Sequence, residues 1–507
     1  MAGIRHESYW NATAPASNHP PLAGDLNVDI AVIGGGIVGV MTARLLKDRG
    51  LSVALVEGSS VGEGVTGKST AKITSQHNIA YTIIERKFGA EGARHYADAN
   101  EAGLRLIAEL IDRHGFACDF ARKPAFTYTL DEKEVARIEE EAKLAALLGM
   151  PASLTRDTGL PYEVRAAMRW DDQAQFHPTK FVKGLAATLP GDDCHVFEQS
   201  RVTDWDPRRI ATEAGTVRAR HVVMATHLPL GQTGFFYAEN HPHMHPVIVG
   251  EAERARVPDG MYISAETPHR SLRGHRDEDG RDWLIFTGPT FKVGDTDGER
   301  AAFAELESFA ATRFGVAPSW RWTNMDYTPM DHAPFVGWSS SRDDAYLVAT
   351  GFNAWGITNG AAAAMLIADS VEGKKNPWLD LYDATRIKPV AGAAQFIKGN
   401  AEVAADLIGG YLRAKPQDFD TLKPGEGGIL KLDGRNVAAY RDEQGKVHAV
   451  SAACTHMGCL VGWNGNDRSW DCPCHGSRFA LDGRVLHGPA VKPLEAVAVD
   501  QVAELAG

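Results

Sequence analysis

The stretch Val28-Asp29-Ile30-Ala31-Val32-Ile33-Gly34-Gly35-Gly36-Ile37-Val38-Gly39 decides how this chain is read. Its opening run is apolar and β-branched, as a buried strand should be, and it ends on a G-x-G-x-x-G pattern at Gly34, Gly36 and Gly39. Residues 40–49 carry apolar positions at helical spacing, and Gly50 supplies a helix stop. Residues 51–56 read as a second strand that ends on Glu57. The order strand, helix, strand predicts a βαβ unit. In such a unit the glycines permit a tight turn and close backbone approach, the helix N-terminus receives a pyrophosphate, and Glu57 accepts from ribose hydroxyls. A glycine-rich turn without a ligand leaves the acid at 57 unexplained, so the stretch predicts dinucleotide binding.

Around this unit, 507 residues give room for about three domains at the usual ~150 residues each. Lys+Arg 53 against Asp+Glu 65 leaves a net charge of −12, which argues against general affinity for nucleic acid or anionic membranes. The longest apolar stretches, 30–40 and 360–367, are interrupted by glycine or too short to span a bilayer. Residues 1–24 are polar and proline-rich, without the layout of a secretory signal. These features predict a cytoplasmic protein whose partners are small molecules or proteins. Four of the six cysteines crowd into 454–474, which points to metal, whereas Cys118 and Cys194 stand alone and read as small buried residues.

Further motifs follow in order. Gly62-Glu63-Gly64-Val65-Thr66-Gly67-Lys68-Ser69-Thr70 is a second glycine-rich loop, and Arg220-His221-Val222-Val223-Met224-Ala225-Thr226-His227 is a strand with its exit. Asp331-His332-Ala333-Pro334-Phe335-Val336-Gly337 is a turn, and Tyr346-Leu347-Val348-Ala349-Thr350 feeds Gly351-Phe352-Asn353-Ala354-Trp355-Gly356-Ile357-Thr358-Asn359-Gly360 and an alanine-rich helix. Together they resemble the flavoproteins of the D-amino-acid oxidase superfamily, with His227 where that superfamily usually has glycine. The resemblance covers about the first three quarters of the chain and implies FAD as cofactor. It puts Thr66, Lys68 and Thr70 beside the pyrophosphate and flavin, and Val202 and Ala225 on the cofactor. The backbone of Gly356, Ile357 and Thr358 then faces the isoalloxazine ring, at a helix N-terminus that favours negative charge on reduced flavin.

The fold implied is an α/β Rossmann-like FAD-binding domain (26–85, 150–235 and 330–385) interleaved with an antiparallel-sheet substrate domain (86–149 and 236–329), all within 1–385. Alternation at 126–130, 247–264 and 283–287 suits strands of that sheet. The expected catalytic groups are Arg273, Tyr262, Asn353 and Trp355, with His177 and Tyr327 as further polar candidates; Arg273 could clamp a carboxylate bidentately. His241, His243 and His245 alternate on one strand face, which invites a metal reading, but without an acid at helical spacing structural histidines, or one near the flavin, are expected. His77 offers an attachment point for flavin, although noncovalent binding is expected.

A helical linker is predicted over 386–420, followed by a small all-β domain over 421–507 with short strands at 429–432, 437–440 and 447–450. Cys454-Thr455-His456 and Cys472-Pro473-Cys474-His475 then give the spacing C-x-H-x15-C-x2-H. This is the Rieske pattern, in which Cys454 and Cys472 hold one iron of a [2Fe-2S] cluster and His456 and His475 the other. A structural zinc site also uses two cysteines and two histidines, but zinc fingers group C-x-x-C before the histidines. Gly488-Pro489-Ala490 resembles the proline loop of Rieske proteins. By the same resemblance Cys459 and Cys474 form a disulfide, Ser477 supplies a hydroxyl to a bridging sulfide, and Phe479 replaces a tyrosine donor, so an intermediate potential is expected.

The combination implies an FAD-dependent oxidoreductase that oxidises a C–N bond of an amine or amino acid and passes electrons singly through the cluster to an external acceptor, such as a redox protein. Reverse flow, from cluster to flavin, and a non-enzymatic redox sensor are the alternatives.

Overall fold

A computed structural model describes residues 3–342, 345–386, 422–432 and 434–498. The linker helix expected over 386–420 lies, apart from Arg386, outside the described residues.

The strand Leu26–Ile33 sits inside a sheet whose main path runs Phe335–Trp338, Leu347–Thr350, Thr216–Met224, Leu26–Ile33, Val53–Val56, His195–Phe197. Pairing along it is parallel except between the first two strands. Val53–Val56 is wholly buried, as a parallel strand covered on both faces requires. The helix Ile37–Asp48 rises directly from the end of Leu26–Ile33. A Cβ on Gly39 would stand 1.9 Å from the Gly34 carbonyl oxygen, so only glycine allows this close return of helix onto turn. The ends of Leu26–Ile33, Thr216–Met224 and Leu347–Thr350 therefore open on one crevice, where the strand order reverses.

The second sheet runs Trp320–Pro329, Asn240–Glu251, Asp282–Thr287, Ser271–Arg276, Met261–Ser264, Ala121–Thr129, Ala166–Gln175, Lys72–Ile73. Three expectations are corrected here. The sheet is mixed, because Met261–Ser264 runs parallel to Ala121–Thr129 and stacks Tyr262 on Phe126 with ring centroids 5.0 Å apart. The span 247–264 is two strands, broken by the 3-10 turn Arg254–Arg256. Ala166–Gln175, assigned from motif positions to an FAD segment, pairs with Ala121–Thr129 and so belongs to the substrate sheet. The polar N-terminal segment also packs inward: Tyr9 and Trp10 are buried, and Trp10 Nε1 donates to the Ser69 carbonyl at 2.9 Å.

Among the described residues, the C-terminal domain holds two antiparallel sheets, Gly427–Leu432 with Arg435–Arg441 and Val447–Ser451, then Gly462–Asn464 with Ser469–Asp471, Arg478–Phe479 and Val485–His487. It docks firmly on the flavoprotein part. Glu299, in the helix Thr296–Phe314, accepts from the amides of Gly465 and Asn466 at 3.0 and 2.9 Å, and Lys68 pairs with Asp467 at 3.0 Å. Asp467 also accepts from the Thr323 amide and hydroxyl. Among the described residues, no helix is long and apolar enough to cross a membrane.

Candidate active site and metal centre

The crevice holds a cavity of about 460 Å³ lined by Gly34, Gly36, Glu57, Thr66, Val202 and Ala225, and by Gly356 and Ile357 at its far end. Glu57 accepts from the amides of Gly35 and Ser59 at 2.7 and 2.8 Å, which fixes the glycine turn. Burial raises the Glu57 carboxyl above its usual range although those two amides oppose it. Thr66 Oγ1 accepts from the Ile37 amide at 3.1 Å, capping the helix that points at the cavity. Arg201, which sequence reading missed beside Val202, lines the same wall, as does Lys68.

A second cavity of about 500 Å³ shares Lys68, Asn324, Asp326 and Ile357 with the first, so the two adjoin. Thr70, Thr358, Asn353 and Trp355 line it, together with His77, His243 and His245. Trp355 stacks on His77 at 4.6 Å, and both ring nitrogens of His77 are engaged, with Tyr96 Oη and the Thr74 carbonyl each at 2.7 Å. Burial lowers His77 and His245 to about 3, so both imidazoles are neutral at pH 7. His245 Nε2 is buried without a partner. Asp326 is opposed by burial, yet the His227 ring, 3.7 Å away, holds it below the usual carboxylate range.

Arg273 and Tyr262 do not line either cavity, which corrects their expected place. Arg273 is fully buried, donates to the carbonyls of Thr70, Gly274 and Phe176, and lies over Trp10 at 4.9 Å. Each of its three nitrogens donates to a backbone carbonyl, so no carboxylate clamp forms there. Tyr262 donates to the Thr158 carbonyl at 2.8 Å. His177 caps the helix Pro178–Ala187 and bonds Thr13, away from both cavities.

At the metal centre, Cys454 and Cys472 are buried with their thiols in hydrogen-bond reach of each other, and the rings of His456 and His475 lie 5.0 Å apart. The Nδ1 atoms of both histidines are buried and unpartnered. His456 Nε2 lies 3.1 Å from the Gly231 carbonyl, which can only accept, so the proton is on Nε2 and the Nδ1 lone pair is free for iron. Two thiolates and two such nitrogens fit a Rieske cluster. The sulfurs of Cys459, Cys472 and Cys474 also lie within 4.8 Å of one another, but Cys459 and Cys474 are joined in a disulfide and offer no thiolate. Ser477 Oγ accepts from the Ala490 amide at 3.0 Å, which leaves its own proton for sulfur; Phe479, fully buried, provides none.

The histidine edge of this centre faces the flavoprotein part. Tyr237 packs on His456 and His475 at 5.4 and 5.1 Å. Tyr327 donates to the His475 carbonyl at 2.8 Å and lies 4.6 Å from the ring of His227, which lines the first cavity. His227 adopts φ 68°, a left-handed conformation that costs a non-glycine residue about 1–2 kcal/mol. The strain is retained where the side chain meets His487 at 3.3 Å and Asp326 at 3.7 Å.

Fold and sites together define a flavin-dependent oxidoreductase joined to an iron–sulfur domain. Residues 29–370 match the FAD dependent oxidoreductase family, to which the chain belongs, and residues 415–499 match the Rieske [2Fe-2S] domain. FAD and a [2Fe-2S] cluster are its cofactors. The Rieske 2Fe-2S iron-sulfur protein YhfW of Bacillus subtilis (strain 168) is 34% identical over 499 residues, covering 97% of this chain and 98% of that one. Glycine oxidase from Geobacillus kaustophilus shares the fold at TM-score 0.59 and 18% identity, covering 72% of this chain and 100% of the other. L-Proline dehydrogenase from P. horikoshii does so at TM-score 0.58 and 21% identity, covering 72% and 98%.

Proposed function

We propose that this protein oxidises a C–N bond of an amine or amino acid in the second cavity and releases the electrons one at a time, through the Rieske centre, to an external acceptor. The observation that carries this reading is the unbroken contact from the first cavity through His227 and Tyr327 to the cluster ligand His475. Bound FAD supplies hydride acceptance and the cluster supplies single-electron transfer. The chain's own residues supply the rest. Desolvation that keeps His77 and His245 neutral also disfavours an ammonium ion, so an amine is held uncharged, the form able to give up hydride. The unpartnered Nε2 of His245 is available to a polar group of the substrate. Asp326, ionised at the junction, stabilises positive charge developing at the carbon–nitrogen bond. With Arg273 engaged elsewhere, and Lys72 lowered to about 7 by burial and bonded to the Tyr262 carbonyl, a substrate carboxylate would meet Arg137 on this wall.

The test has two stages. An anaerobic screen of amines and amino acids should find a compound that bleaches the flavin. In air, that compound should generate peroxide rapidly with a Cys472→Ser variant and slowly with wild type. Equal peroxide from both proteins would contradict an outlet through the cluster.

A further inference from the structure

The wall of the FAD cavity is not built by the flavoprotein part alone. Asp467, Arg478, His487 and Gly488 of the C-terminal domain line it together with Gly34 and Glu57. We infer that the Rieske domain forms part of the FAD-binding site: the strand Val485–His487 and the loop to Val491 close over the dinucleotide, which leaves only when this edge withdraws.

Independent contacts hold the edge in place. The Gly231 amide donates to the Pro489 carbonyl at 2.9 Å, and the Gly231 carbonyl accepts from His456. His227 and His487 meet at 3.3 Å within the cavity wall, one from each domain. Lys68, on the second glycine loop, pairs with Asp467, and Asp467 pairs with Arg478 at 2.9 Å. Arg201 and Lys68 of the flavoprotein part and Arg478 of the cluster domain all line the cavity, Lys68 and Arg478 meeting on Asp467. Lys68 and Arg478 are paired with Asp467 and Asp471, so of these three cations Arg201 is the one left to a dianionic pyrophosphate. Arg478 and His487 belong to the small sheet whose strands flank the ligand loop 472–477, so the cluster loop and the dinucleotide cavity share one scaffold. By linkage, a domain that binds FAD must itself be held more tightly when FAD is present. This role of the edge depends on the cofactor and not on which substrate is oxidised.

The test uses the full chain loaded with both cofactors. After dilution, FAD release is followed by the rise in free-flavin fluorescence, and the cluster by the EPR spectrum of the reduced protein. His487→Ala should release FAD about tenfold faster, the loss expected for one buried polar contact, with the cluster spectrum unchanged. Release at the wild-type rate with an intact spectrum overturns the inference. A second measurement needs no variant: hydrogen exchange over residues 485–491 of wild type should slow when FAD is added to the FAD-depleted protein. Equal exchange with and without FAD overturns it as well.

Discussion

The hydroxyl of Tyr327 donates to the backbone of a cluster ligand while its ring rests on a histidine of the FAD cavity. Removing that hydroxyl in Tyr327→Phe leaves the His475 carbonyl unpartnered in a buried position, at a cost of about 1–3 kcal/mol. Stopped-flow reduction should then show flavin bleaching by substrate at the wild-type rate and slower arrival of electrons at the cluster. If both phases match wild type, Tyr327 is not on the path. Sequence alone places Tyr327 near the substrate; its true position depends on a domain that folds against it from more than a hundred residues away. The cluster ligands, by contrast, are legible because their chemistry lies in two short loops. Arg273 misleads for the opposite reason. Its partner, Trp10, comes from an N-terminal segment whose composition gives no sign of burial.

Among the elements, the long helix Tyr81–His114 crosses the helix Thr358–Val371 where Gly103 meets the Thr358 carbonyl; a Cβ there would lie 2.3 Å from that oxygen. Thr358 opens the helix at the junction of the two cavities. Gly103→Ala should therefore push the helices apart, costing about 1–3 kcal/mol as an overpacked contact does, and loosen FAD with it. Thermal unfolding and FAD retention report this together, and an unchanged melting temperature would refute the close contact. Element types are readable where one period dominates, as in Leu26–Ile33 and the alanine-rich helix. Pairing is not. The alternation of His241, His243 and His245 is visible, but the register that sets His243 opposite Asp326 and His245 opposite Asn324 comes from a strand far along the chain. The acidic partner of these histidines is therefore invisible from local spacing.

At the scale of the whole molecule, two redox sites are fixed against each other by a polar interface. Burial raises Glu299 to about 7 at that interface, where it receives two amides of the cluster domain. Lys68, Asp467 and Arg478 form a continuous charged chain across it. The histidine edge of the cluster faces the flavoprotein part, against Tyr237. The most direct measurement is anaerobic photoreduction of the flavin with EDTA as sacrificial donor, followed at once by the flavin absorbance and by the EPR signal of the reduced cluster. The cluster signal should grow from the first electrons delivered, before the flavin is fully bleached, and Tyr327→Phe should delay it. A flavin that bleaches completely while the cluster stays oxidised would contradict transfer from flavin to cluster.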